Sequence, residues 1–109
     1  MSGPFPRFTD ARGMLLPVEF DQLPFVPARL FVVVGPAEGT TRGGHEVPCH
    51  ELMVLVSGSV EVRHDGVTTT LSRPGDWLEL PPGGLVEYDL APGGSTVAVL
   101  ADQPYQGDG

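Results

Sequence analysis

Apolar residues fall in short clusters along the chain, and the spacing inside a cluster differs from one segment to the next. Ser59–His64 (SVEVRH) alternates apolar and polar side chains, which predicts a strand with one buried and one wet face. Asp65-Gly66 follows, and then Val67–Leu71 (VTTTL); Asp-Gly between two such runs is a strong short-range hairpin signal. Ala28–Val34 (ARLFVVV) stops at Gly35-Pro36, and Glu51–Val56 (ELMVLV) stops at Ser57-Gly58. Both are aliphatic and β-branched runs that predict further strands. Trp77–Leu80, Leu85–Leu90 and Thr96–Ala101 follow, each bounded by proline and glycine. Helical signals are weak, because the best periodic stretch, Met14–Val26, is cut by Pro17 and Pro24 and fits extended chain as well. Short strands every 8–12 residues or so, with turn residues between them, predict an all-β antiparallel sandwich or barrel.

Composition narrows this picture. A chain of 109 residues holds one domain with one core, spanning 1–109, with residues 1–9 and 103–109 read as loose ends. Glycine (15) and proline (12) are abundant without a collagen period, which suits many turns. The net charge is −8, and the six basic residues are scattered arginines. No basic stripe exists to track phosphates, so nucleic acid is not an expected partner. Two or three placed arginines could still hold an isolated anion. Cys49 is the only cysteine, which rules out an intrachain disulfide and fits a reducing cytosol. The opening MSGPFPRFTDARG lacks the apolar region of a signal peptide, and no apolar run approaches the roughly 18 residues of a membrane span. The expectation is a soluble, cytoplasmic protein with no membrane partner.

Two segments carry spaced motifs. Residues 39–58 read GTTRGGHEVPCHELMVLVSG, in which Gly39, His45, Val47, Glu51 and Gly58 fall on the spacing G-x5-H-x-H-x3–4-E-x6-G. Gly75, Pro81, Gly83, Val86 and Leu90 fall on G-x5-P-x-G-x2-H-x3-N. These spacings resemble the twin motifs of the cupin barrel, with valine at two histidine positions and leucine at the asparagine. Residues 45, 47 and 51 share a parity, so on one strand all three would face the barrel interior. The expected fold is a single cupin (RmlC-like) antiparallel β-barrel or jelly roll.

A narrower resemblance covers about residues 10 to 102. Asp10, Arg12, Gly13 and Leu15 (D-x-R-G-x-L), Leu23 to Arg29 (L-P-F-x-x-x-R), RGGH at 42–45 and LVSGSVEV are similar to the dTDP-4-oxo-6-deoxyglucose 3,4-ketoisomerases. The resemblance implies a small homodimeric, metal-independent cupin, with exchanged N-terminal strands as one form of the dimer. In that family R-G-x-H-x-H supplies two histidines for proton transfer between adjacent sugar carbons, while arginines and a tyrosine hold the nucleotide-sugar. Arg42 matches the motif's arginine and His45 its first histidine. The second histidine falls on Val47, the lysine that often follows falls on Pro48, and the family's Trp-His falls on Leu85-Val86.

Candidate roles follow residue by residue. His45 has an unperturbed pKa near 6.5 by residue type and can take and return a proton near neutrality; its alternative is a satisfied interior histidine. Glu51 could orient or protonate it, or instead pair with Arg29 or Arg42, since a buried carboxylate needs a partner. Arg42 and Arg29 are candidate substrate contacts or ordinary surface charges. His50 has the opposite parity to His45 and should point outward unless Pro48 breaks the alternation, so it is a secondary candidate contact. Tyr88 is a candidate contact or a core residue. Val47, Cys49 and Val86 are expected to line the cavity, Cys49 by packing, because no base is assigned to activate its thiol. With valine at 47 and 86, only His45 and Glu51 of the usual ligand set remain, so no metal and no cofactor are expected. Three functions stay open. One is an isomerase or cyclase acting by proton transfer on a small biosynthetic intermediate. The second is a sugar-nucleotide 3,4-ketoisomerase with one catalytic histidine, and the third is a non-catalytic small-molecule-binding or accessory cupin.

Overall fold

Ten strands form among residues 3–105, the part of the chain that the computed structural model describes. They are β1 (Phe8–Asp10), β2 (Gly13–Leu15), β3 (Arg29–Val34), β4 (Thr40–Glu46), β5 (Glu51–Ser57), β6 (Val60–His64), β7 (Val67–Leu71), β8 (Trp77–Leu80), β9 (Leu85–Leu90) and β10 (Thr96–Ala101). The stretch Met14–Val26 is extended chain apart from a 3-10 turn at Phe20–Gln22, as its prolines require. No helix among the described residues is long and apolar enough to cross a membrane.

Two four-stranded antiparallel sheets face each other, one in the order β3-β10-β5-β8 and the other β4-β9-β6-β7, with β1-β2 as a separate hairpin. Asp65 and Gly66 both take positive φ (51° and 75°) and turn β6 into β7, the geometry the Asp-Gly signal predicts. Side chains from both sheets meet in one apolar cluster. Val33, Met53, Leu55, Val97 and Val99 come from the first sheet, and Val60, Val62, Leu71, Val86 and Leu90 from the second.

The two sheets differ on their outer faces, and that difference explains the two kinds of apolar pattern. On β5, Met53 and Leu55 point between the sheets, while Leu52 and Val54 point out into a second cluster with Leu100 and Phe5. Leu16, Val18, Leu23, Phe25 and Trp77 pack over that cluster. A strand covered on both faces has no reason to alternate, and ELMVLV does not. Each such aliphatic side chain contributes roughly 1.5–3 kcal/mol by leaving water. Phe5 is anchored there, its N–H donating to the Gly75 carbonyl at 2.9 Å. Within the expected loose end Phe5 is thus packed, while residues 6–9 are exposed; residues 1, 2 and 106–109 lie outside the described part of the chain.

The outer face of the second sheet is wet and charged. Arg63 donates to both Asp89 oxygens (2.8 and 3.0 Å) and to Glu87 (2.9 Å), and Thr41 donates to Asp89 at 2.6 Å. Arg63 and Thr41 together draw the Asp89 carboxyl down to about 2. The alternation of SVEVRH comes from this sheet.

One apolar strip has no cover among the described residues. Leu30, Val32 and Val34 project from the outer side of β3, an edge strand, and each is more than half exposed, as are Phe8 and Leu15 on the β1-β2 hairpin.

Candidate functional site

A cavity of about 370 Å³ lies between the sheets. Its lining includes both edge strands that follow one another in the chain, with Arg29, Phe31, Val32 and Val33 from β3 and Arg42, Gly43 and His45 from β4. Glu51 and Met53 of β5, Leu80 of β8, Val86 and Tyr88 of β9 and Val99 of β10 form the rest of the wall, with Pro48 and Tyr105. Polar groups therefore gather on an otherwise apolar surface, the usual make-up of a small-molecule site.

Arg42 and His45 are three residues apart and on a regular strand would face opposite ways. The β4–β9 ladder shifts register between Gly43 and His45, so Arg42 pairs with Tyr88 and His45 pairs with Val86. This bulge sets both side chains on the cavity face. Gly43 and Gly44 make it possible with φ of 94° and 86°. A Cβ on Gly43 would meet the Val86 carbonyl oxygen at 2.6 Å, so the glycine of R-G-x-H is required by close approach as well as by its backbone angle.

His45 Nδ1 lies 2.8 Å from the Glu46 carbonyl oxygen. A carbonyl can only accept, so Nδ1 carries a proton, and in the neutral ring the lone pair is on Nε2, the tautomer that can act as a base. Glu51 begins β5 with its carboxylate largely buried and 4.0 Å from Arg29 Nη2. Burial pushes its carboxyl up, while the positive charges of Arg29 and, when protonated, His45 pull it back. Burial also raises the Tyr88 phenol, and the Arg42 guanidinium alongside lowers it. Arg29 lies over the rings of Phe31 and Tyr105, and its Nε is buried without a hydrogen-bond partner among the described residues.

His45, Glu51, Arg42, Arg29, Tyr88 and Val86 thus converge on one cavity. Val47, Cys49 and His50 do not line it. Residues 45, 47 and 51 do not share a strand: β4 ends at Glu46, β5 starts at Glu51, and the two belong to different sheets. The connection turns Val47 into the core, 2% exposed, where its N–H donates to the Gly84 carbonyl and its carbonyl accepts from Gly83. Cys49 is buried too, and that burial raises its thiol. His50 packs against Phe25 with ring centroids 4.6 Å apart, and its Nε2 sits 2.6 Å from Glu79 Oε2. Its substrate-contact role therefore has no support from position. Val86, across the ladder from His45, stands where the second motif's histidine would complete a ligand set. Among the described residues no three His, Cys, Asp or Glu side chains gather in a way that could hold a metal ion. Phe31 and Tyr105 lie outside the spaced motifs. Phe31 has only the in-out parity it shares with Arg29, and Tyr105 is a lone aromatic in a tail of turn residues.

Fold and site together define an RmlC-like cupin with a largely apolar cavity, bearing a few polar groups, between its sheets. The chain belongs to the family described as WxcM-like, C-terminal (FdtA), which matches residues 3–109. QdtA, a sugar 3,4-ketoisomerase from Thermoanaerobacterium thermosaccharolyticum solved in complex with TDP, is similar in structure with a TM-score of 0.81. Identity is 27% over 94% of this chain and 80% of that one. A 3,4-ketoisomerase from Helicobacter canadensis superposes with a TM-score of 0.80 at 23% identity, over 95% of this chain and 83% of that one. The RmlC epimerase of Mycobacterium tuberculosis has a TM-score of 0.70 at 17% identity, covering 94% and 62%. The last two, at such identities, establish the shared fold alone. No curated protein sequence matches the chain.

Proposed function

We infer that this protein is a sugar-nucleotide isomerase of the 3,4-ketoisomerase type, in which His45 is the single histidine that moves the proton. The observation that carries the reading is the Nδ1 contact of His45 with the Glu46 carbonyl, which leaves Nε2 as a base on a cavity that also holds Glu51, Arg42, Arg29 and Tyr88. For a 4-oxo-6-deoxy sugar, Nε2 takes the proton from C3 and the electron pair moves to the C4 oxygen, giving a 3,4-enediolate. The proton of the 3-hydroxyl passes to O4 through Glu51 or Tyr88, the two proton-carrying side chains that share the cavity wall with His45. Return of the His45 proton to C4 yields the 3-oxo isomer with the same atoms. One base suffices because C3 and C4 are adjacent and the ring can serve both from one face.

Arg42 and Arg29 are the groups suited to the diphosphate, by charge and by paired N–H donors. The two-ligand donor set supports proton transfer without a metal. The apolar wall of Phe31, Val33, Met53, Leu80 and Val99 favours a second reading, in which the same base acts on a less polar biosynthetic intermediate. The bare strip of Leu30, Val32 and Val34 supports a homodimer built across the β3 edge. Incubation with dTDP-4-oxo-6-deoxyglucose followed by chromatography tests the assignment. A new ketosugar nucleotide is expected, and an unchanged substrate removes the ketoisomerase reading.

A further inference from the structure

His64 takes no part in the chemistry above, yet its place in the second sheet relates it to His45. His45 pairs with Val86 in the β4–β9 ladder, and Val86 pairs with His64 in the β6–β9 ladder, so the three residues form one row across the sheet. The turn at 81–84 (PPGG), which leads into β9, reaches both ends of that row. At the β6 end, His64 Nε2 lies 3.0 Å from the Gly83 carbonyl oxygen. A carbonyl can only accept, so this nitrogen carries a proton. At the β4 end, the Gly83 N–H donates to the Val47 carbonyl at 2.9 Å, and the Val47 N–H donates to the Gly84 carbonyl at 3.1 Å.

The turn is seated closely on His64, whose side chain is 13% exposed. Gly84 has a φ of 75°, and a Cβ there would lie 2.8 Å from His64 Nε2 and closer still to Asp65 Oδ1. Glycine alone suits both the angle and the approach.

The Val47 N–H and the Glu46 carbonyl belong to one planar peptide unit and point in opposite directions. The bond from that N–H to Gly84 therefore fixes where the Glu46 carbonyl points, and this carbonyl accepts from His45 Nδ1 at 2.8 Å. Hydrogen bonds linked in this way polarise one another, which makes the Glu46 oxygen a better acceptor.

We propose that His64 is a positioning residue for His45: by donating to Gly83 it holds the 81–84 turn against Val47, and the turn aims the Glu46 carbonyl at His45 Nδ1. In the neutral ring the lone pair is thereby kept on Nε2. The use of that lone pair in a reaction rests on the function inferred above; control of the His45 tautomer stands on the hydrogen bonds alone.

The test is long-range proton–nitrogen NMR of the imidazole rings in the full chain at about pH 8, where neutral rings prevail. Wild type, His64→Leu and His64→Gln are compared, with His45→Gln to assign the signals, and kcat and KM for dTDP-4-oxo-6-deoxyglucose are measured in parallel. Wild type shows the His45 proton on Nδ1. His64→Leu turns this into a mixture with the Nε2–H form and lowers kcat about tenfold or more with KM within about twofold, since a small misplacement of a reacting group costs up to about 10²-fold. His64→Gln keeps a donor for Gly83, so the Nδ1–H form stays and kcat falls within about threefold of wild type. Spectra are taken well below each thermal midpoint, and if His64→Leu does not fold, His64→Asn, whose amide is too short to reach Gly83, takes its place. The proposal is overturned if wild-type His45 carries its proton on Nε2, if the variant without the donor keeps the Nδ1–H form, or if His64→Gln loses that form as well. Tautomers that follow the expected pattern in a chain without isomerase activity uphold the role of His64 and remove the ketoisomerase reading.

Discussion

Restoring the motif's second histidine, by Val47→His, should damage the protein rather than improve it. Val47 is 2% exposed, sits in the apolar cluster between the sheets, and has its backbone N–H and carbonyl already engaged by Gly84 and Gly83. An imidazole there has no free backbone partner among these contacts. One unsatisfied buried nitrogen costs about 1–3 kcal/mol, and forcing the larger ring into packed space adds about 1–3 kcal/mol. The sum, about 2–6 kcal/mol, corresponds to a fall in Tm of at least roughly 8 °C for a domain of this size. Circular dichroism melts of wild type and variant measure it. The deficit should widen as pH falls below about 6.5, because the unfolded chain then binds a proton that the buried ring refuses. A variant within about 0.5 kcal/mol of wild type at pH 7 would refute the reasoning, since it would mean that position 47 opens onto a polar cavity.

Other expectations follow from particular contacts. Gly43→Ala meets the Val86 carbonyl oxygen and an unfavourable φ, so it should cost about 1–3 kcal/mol in urea unfolding and lower any activity that needs His45. Burial raises the Glu51 carboxyl above its unfolded value near 4.5, so the folded state keeps a proton that the unfolded state has released. Its penalty is absent below that value and grows as pH rises through the folded pKa, so Glu51→Gln should gain stability relative to wild type between pH 4 and pH 8. An opposite slope in unfolding free energies would contradict that sign. Val32→Glu places a charge in the exposed strip of β3; sedimentation should show wild-type dimer and variant monomer, and equal masses would remove the β3 interface.

The strands that alternate or end in strong turns are legible from the residues alone, because local chemistry decides them. Asp65-Gly66 and the SVEVRH pattern lead to β6 and β7 at nearly the same bounds. Strand β4 is different. TTRGGHE has no apolar alternation and two adjacent glycines, and it is a strand because β9 pairs with it. The bulge that turns Arg42 and His45 to the same side is a property of that pairing, so parity counted along the chain misses it. The same counting fails at Val47 and Cys49, where the chain crosses from one sheet to the other and the period of two ends, although it places His50 off the cavity as found. Motif spacing still locates His45, Glu51 and Arg42 correctly on the cavity, since the spacing encodes the three-dimensional arrangement that periodicity does not. Tyr105 meets Arg29 across a distance in sequence that no local pattern reports.

The single-histidine mechanism is tested most directly by the isomerisation rate of dTDP-4-oxo-6-deoxyglucose, followed by NMR, with wild type and His45→Gln. The account predicts a 3-oxo product from wild type and a rate reduced about 10²- to 10⁴-fold in the variant, the usual contribution of a positioned base. No 3-oxo product from wild type, or an unchanged rate in His45→Gln, contradicts it.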